Sequence, residues 1–137
     1  MTLQDAKDKF IQTWGALGSN WGINKTMAQV HALLLVSEEL LSTEDVMEKL
    51  QISRGNANIN VRALIDWGLI DRTNVKGDRK EYFIAEKDIW KIATLIVNER
   101  RKREVEPILK ALKQVKDIDA KSGEKKEIKQ FTDFIES

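Results

Sequence analysis

The stretch Ser53-Arg54-Gly55-Asn56-Ala57-Asn58-Ile59-Asn60-Val61-Arg62-Ala63-Leu64-Ile65-Asp66-Trp67-Gly68 decides the fold. At about 100° of rotation per residue, Ala57, Val61, Leu64 and Ile65 share one arc of a helix, the arc that seeks a core. Gly55, Ile59, Arg62 and Asp66 occupy the opposite arc, with Asn56 and Asn58 on its flanks. Ser53 suits the N-cap, where its hydroxyl accepts from a free first-turn N–H, and Gly68 suits the left-handed residue that ends a helix. The outer groups are those with which a DNA major groove is read: Asn pairs with adenine, Arg with guanine, and Ile59 can touch a thymine methyl. Ser53 and Arg54 stand where first-turn N–H groups favour phosphate oxygens. Gly55 weakens the helix but lets its backbone approach a duplex closely. Asp66 repels phosphate and belongs where the helix leaves the groove.

Just upstream, Leu41-Ser42-Thr43-Glu44-Asp45-Val46-Met47-Glu48-Lys49-Leu50 offers Ser42 as an N-cap and acidic residues in the first turn, where they favour the helix dipole. Gln51-Ile52 then turns the chain, so two short helices form a helix-turn-helix. Just downstream, strand-like runs Leu69–Val75 and Lys80–Ile84 flank a turn containing Gly77, which is a hairpin. A helix-turn-helix followed at once by a hairpin is the order of a winged helix-turn-helix, with the wing at residues 69–84.

Further out, Asn24 can cap a helix carrying Met27, Val30, Leu33, Leu34 and Val36, and Leu3, Ala6, Phe10, Trp14 and Leu17 form one stripe of an N-terminal helix stopped by Gly18-Ser19-Asn20. From Glu86 a long helical pattern runs through Ile89, Trp90, Ile92, Ile96 and Val97 to Val105, Ile108, Leu109, Leu112 and Val115, with Pro107 expected to kink or restart it. After Lys121-Ser122-Gly123-Glu124, residues Ile128, Phe131, Phe134 and Ile135 predict a last amphipathic helix. The fold class is therefore mainly α with a small β-hairpin: an N-terminal helix (1–22), a winged helix-turn-helix (23–85) and C-terminal helices (86–137). Apolar stripes at both ends need burial, and a second copy supplies it, so these helices are expected to dimerise.

A chain of 137 residues with 42% hydrophobic content, four Trp and four Phe is enough for one domain with a genuine core. Cysteine is absent and His31 is the only histidine, which excludes disulfides, thiol nucleophiles and Cys-ligated zinc and leaves little for a His-based triad or metal site. No catalytic residue, metal or cofactor is expected. Asp5, Lys7, Asp8 and Lys9 stand where a signal peptide needs an apolar core, and no uncharged run approaches the roughly 20 residues of a membrane span. The expectation is a soluble cytoplasmic protein with no membrane partner.

Lys and Arg number 23 against 22 Asp and Glu, so the net charge of +1 offers no bulk attraction to nucleic acid and any such site is a local patch. That patch is legible. Residues 53–80 hold Arg54, Arg62, Arg72, Lys76, Arg79 and Lys80 against Asp66, Asp71 and Asp78, whereas residues 38–50 are strongly acidic. At the wing tip Arg79 is expected to enter a minor groove, Asp78 to orient its guanidinium, and Lys76 and Lys80 to meet phosphates.

The segments Ala28-Gln29-Val30-His31-Ala32-Leu33-Leu34-Leu35, Ile52-Ser53-Arg54-Gly55-Asn56-Ala57-Asn58, Arg62-Ala63-Leu64-Ile65-Asp66-Trp67-Gly68-Leu69 and Gly77-Asp78-Arg79-Lys80-Glu81-Tyr82-Phe83 resemble the GbsR type within the MarR superfamily of transcriptional regulators. The resemblance implies a homodimeric winged-helix repressor or activator of double-stranded DNA. It maps Ser53, Arg54, Gly55, Asn58 and Arg62 to the recognition helix and Asp78 and Arg79 to the wing. It also implies control of osmoprotectant genes and, in some members, a quaternary ammonium effector such as choline. An aromatic cage for such a cation would draw on Trp14, Trp21, Trp67, Trp90, Tyr82 and Phe83, the same rings a small core needs.

His31, a single imidazole inside the second helix, reads as a partly buried packing or hydrogen-bonding residue and receives no functional role, and Arg100-Arg101-Lys102-Arg103 reads as a solvated helix face paired with neighbouring glutamates. The competing reading of the whole chain is a winged-helix protein–protein interaction module, kept open by Asp66, Asp71 and the near-neutral total.

Overall fold

Four side chains start the helices of the first half of the chain by accepting from an otherwise orphaned first-turn N–H: Thr2, Asn24, Ser42 and Ser53. Thr2 and Ser42 form full capping boxes with Asp5 and Asp45. The computed structural model describes residues 1–116 and 125–136, which divide into two units, 1–99 and 100–137.

In the first unit, α1 (Leu3–Gly18) passes through a 3-10 turn (Ser19–Trp21) to α2 (Lys25–Val36), β1 (Leu41–Ser42), α3 (Thr43–Leu50), α4 (Arg54–Asp66), β2 (Ile70–Asn74) and β3 (Glu81–Ala85). Next, α5 (Ile89–Lys116) begins, with its residues up to Glu99 in this unit. The second unit holds the rest of α5 and α6 (Lys125–Glu136). The expected breaker at residues 121–124 lies outside the described residues, and α5 runs on through the exposed Pro107 rather than restarting there. Its start falls at Ile89, not Glu86, because Asp88 Oδ1 accepts from the backbone N–H groups of Trp90 (3.0 Å) and Lys91 (3.3 Å).

The hairpin gains a third strand. All pairings are antiparallel in the order β1-β3-β2, with Leu41 opposite Phe83 and Arg72 also opposite Phe83 on the other side. Two residues are too few to display alternation, so β1 was not foreseen. It ties the start of α3 to the wing and places the buried Leu41 and Phe83 against the helices.

The core of this unit gathers Val30 and Leu34 of α2, Val46 of α3, Ala57, Val61 and Leu64 of α4, then Leu69, Phe83 and Ile92, all almost wholly buried. Each large side chain of this set contributes about 1.5–3 kcal/mol. Two turns orient α4. Before it, Gln51 adopts a left-handed backbone (φ 55°) that ends α3 and swings the chain into Ser53. After it, Gly68 (φ 79°) closes a Schellman motif in which the N–H of Leu69 donates to Leu64 O (3.1 Å) and that of Gly68 to Ile65 O (2.9 Å). The Lys87 ammonium donates to the carbonyls of Leu34, Leu35 and Ser37 at 2.7–3.0 Å, holding the end of α2 beside the exit from β3.

His31, a lone imidazole inside α2 and so expected to pack or hydrogen-bond, does both. It is fully buried, and the Trp14 indole N–H donates to its Nδ1 (3.1 Å), which places the imidazole proton on Nε2. Burial lowers its pKa from 6.5 to about 4. Trp90, counted among the core aromatics, is instead 80% exposed on α5.

Because His31 stays neutral when folded but titrates near its ordinary value when unfolded, acid between pH 6.5 and 4 binds the unfolded chain preferentially and stability falls across that window. His31→Asn keeps an acceptor for Trp14 and removes the titration. Urea denaturation at pH 7 and pH 5 should therefore show the native protein losing about 2 kcal/mol more than the variant. Equal losses would mean that the imidazole does not titrate as its burial demands.

Candidate nucleic-acid interface

Inward-facing Ala57, Val61 and Leu64 leave Gly55, Asn56, Asn58 and Ile59 of α4 in solvent, as the spacing predicted, and Ile59 is 71% exposed. A large apolar side chain so open on an otherwise polar face has no packing role in this unit. Ser53 is spent as the N-cap, its hydroxyl accepting from Asn56 N–H at 3.1 Å. Nothing lies within 4 Å of the place where a Gly55 side chain would begin, so that backbone is open to approach.

The arginines are not idle. Arg54 pairs with Glu44 at 3.0 Å, linking the start of α4 to the first turn of α3. Glu44 is held below the ordinary carboxylate range by its own backbone N–H and by the Arg54 hydrogen bond. Arg62 grips Glu81 with two N–H groups, at 2.8 Å and 3.5 Å, and Arg72 donates to the same carboxylate at 3.4 Å. Glu81 on β3 thus joins α4 to both strands of the wing, and the Arg62 bond foremost keeps it ionised to lower pH than usual. Arg62, expected as an outward base reader, lies half-buried at the root of the wing in the free chain. A pair 19 residues apart has no local sequence signal.

The wing turn is built by Asp78. Its N–H donates to Val75 O (3.0 Å) beside the left-handed Gly77 (φ 85°), its Oδ1 accepts from Lys80 N–H (2.9 Å), and its Oδ2 accepts from the Tyr82 hydroxyl (2.6 Å). The carboxylate thus shapes the turn, and its side-chain hydrogen bonds here go to Lys80 and Tyr82. The Tyr82 hydroxyl pulls the Asp78 pKa down, and Asp78 in turn pushes that of Tyr82 up. Lys76, Arg79 and Lys80 stand exposed around this turn, and none forms an ion pair among the described residues.

Sequence reasoning passed over Asn60, which is 3% exposed on the inner side of α4. Its Nδ2 donates to Asn56 O (2.9 Å) and Asn56 Oδ1 (2.8 Å), and its Oδ1 accepts from Asn24 Nδ2 (3.3 Å). The signal was present: a polar residue flanked on the wheel by Ala57, Val61 and Leu64 needs a partner.

The six aromatic residues weighed for a cation cage are dispersed among different roles. Trp14 meets Trp21 edge-on (4.7 Å between centroids) and stacks on Phe10, Trp67 and Phe83 lie in the core, Tyr82 serves the wing turn and Trp90 faces solvent. Among the described residues no group of His, Asp and Glu is placed to hold a metal ion, and no helix is long and apolar enough to cross a membrane.

Residues 21–81 match the MarR family, a span that holds α2 to α4, β2 and the wing turn. The chain is 25% identical over 112 residues to the HTH-type transcriptional repressor GbsR of Bacillus subtilis, covering 82% of this chain and 62% of that protein. It is 32% identical over 76 residues to the HTH-type transcriptional regulator MmpR5 of Mycobacterium tuberculosis, covering 55% and 46%. The alignments thus span about half to three fifths of these relatives' lengths. A crystal structure of a transcriptional regulator superposes with a TM-score of 0.64 at 22% identity over 96% of this chain and 88% of its own. A regulator from Thermotoga maritima superposes with a TM-score of 0.50 at 15% identity over the same shares, and both matches show the fold.

Half-exposed ion pairs contribute little to stability, so Glu81→Gln should change the unfolding free energy by less than about 1 kcal/mol in a urea titration. A loss above about 2 kcal/mol would make the carboxylate a structural post rather than an exchangeable partner of Arg62.

Proposed function

We propose that the chain is a sequence-specific regulator of transcription that binds double-stranded DNA as a homodimer, a reading supported by the match of residues 21–81 to the MarR family. The exposed face of α4 enters a major groove, with Asn56, Asn58 and Ile59 at base edges and Ser53, Arg54 and the open Gly55 backbone at phosphates. Arg79 reaches the adjacent minor groove, flanked by Lys76 and Lys80 on phosphates. The observation that carries this reading is the α4 face itself: a core-anchored helix that leaves two asparagines, a glycine and an isoleucine in solvent beside a cationic wing.

Arg54 and Arg62 trade their carboxylates for DNA on binding. The exchange is cheap because both pairs are partly solvated in the free protein, with arginine side chains 62% and 43% exposed. Ile89, Trp90 and Val97 in the first unit, and Val105, Ile108 and Leu109 in the second, are large apolar groups in solvent, which supports burial against a second copy. Repression is the direction that the name of the GbsR relative supports.

Selection of bound sequences from a random duplex pool at two salt concentrations tests the proposal. The expected outcome is a pseudopalindrome with half-sites about 10 base pairs apart and an affinity that falls steeply with salt. Arg79→Ala should weaken specific and random duplexes alike and lower the salt slope by about 1. An absence of any enriched motif, with affinity flat in salt, would favour a protein-interaction module instead.

A further inference from the structure

Three asparagines form a chain whose donor and acceptor sense is fixed from one end to the other. Asn24 caps α2, and its Oδ1 accepts from Met27 N–H at 2.7 Å; a backbone N–H only donates, so the atom at that position is the oxygen. Asn24 Nδ2 is therefore the group turned toward Asn60, and Asn60 must meet it with Oδ1 (3.3 Å). The Asn60 amide nitrogen then points the other way, where the Asn56 backbone carbonyl, which only accepts, demands a donor and receives one at 2.9 Å. The same nitrogen donates to Asn56 Oδ1 at 2.8 Å. Two backbone groups with no freedom to reverse thus bracket the relay, and Asn60, 3% exposed, has no water to exchange with.

The consequence falls on Asn56. Its side-chain Oδ1 is turned along α4 toward Asn60, and what it offers foremost to solvent is its amide N–H pair. A free asparagine reads adenine because it presents an acceptor and a donor side by side, to N6 and N7. With that oxygen turned inward and one of its two lone pairs engaged, Asn56 presents its donors foremost. The base edge that offers two neighbouring acceptors and no donor in the major groove is guanine, through N7 and O6.

We propose that Asn60 is a positioning residue that sets Asn56 donor-first toward the base edge and so favours guanine, against the adenine pairing expected of an unconstrained asparagine. The inference rests on the reading of α4 as a recognition helix and deepens it: base choice at one position is set by a buried residue that touches no DNA.

The test is an affinity matrix of single base-pair substitutions across the selected duplex, measured for the native protein, Asn56→Ala and Asn60→Leu. Asn56→Ala, an exposed change, should abolish discrimination at one base pair per half-site, where the native protein prefers guanine by about 5- to 10-fold. Replacing that guanine with 7-deazaguanine should weaken the native protein several-fold and leave Asn56→Ala unaffected. Asn60→Leu fills the buried space, frees the Asn56 amide to rotate and should shift preference at that base pair toward adenine while the rest of the motif is kept, which also reports that the variant is folded. If Asn60→Leu does not fold, the Asn56→Ala and 7-deazaguanine arms decide alone. Adenine preferred at that position by the native protein, no position altered by Asn56→Ala, or a folded Asn60→Leu with an unchanged profile would each overturn the inference while leaving DNA recognition standing. A native protein that selects no motif would overturn it together with the reading of α4.

Discussion

Burial of Ala57, Val61 and Leu64 fixes the rotation of α4 about its own axis, and the rest of the interface depends on that angle. A turn of one residue, about 100°, would bring Asn56 and Ile59 toward the core and strip Val61 of its contacts. The neighbouring elements defend the same angle. The left-handed Gln51 sets the entry, the Schellman turn at Gly68 sets the exit, and β1 locks the start of α3 to the wing through Phe83. The outward face is thus as well specified as the core, although none of its side chains is buried.

Carboxylates arrange the cations before any partner arrives. Glu44 and Glu81 hold Arg54, Arg62 and Arg72 in extended, partly solvated positions, and Asp78 shapes the turn from which Lys76, Arg79 and Lys80 project. Each acid is kept ionised by hydrogen bonds, so the arrangement is intact across neutral pH. The near-zero net charge is then a sign of pairing rather than of indifference to polyanions. Rotamer order in long arginine side chains is supplied at a cost of weak surface pairs, which a phosphate or a base edge can replace.

Local physics made much of the fold legible. The caps Asn24, Ser42 and Ser53, the left-handed Gly68, the core arc of α4 and the hairpin around Gly77 all follow from residue type and spacing within a few positions, and the structure holds each of them. What escaped were pairings between distant segments. Arg62 with Glu81, Trp14 with His31, Asn24 with Asn60 and Leu41 with Phe83 each join residues whose proximity exists only after folding. The exposure of Trp90 escaped for a related reason: a helical stripe shows which residues share a face, not whether that face has a neighbour within the same chain. The exposure of Asn56, Asn58, Ile59 and the wing cations was therefore readable, and the orientation of Arg62, Asp78 and Asn56 was not.

The absence of cysteine permits a direct test of the proposed DNA-facing side of α4. Ile59→Cys places a single thiol at the most exposed apolar point of α4, and an iron chelate attached there cleaves whatever nucleic acid lies against it. The account predicts cuts on a selected duplex in two clusters about one helical turn apart, with none from the same chelate attached through Ala16→Cys on α1. Retained binding with no cleavage from position 59, or equal cleavage from both positions, would contradict it.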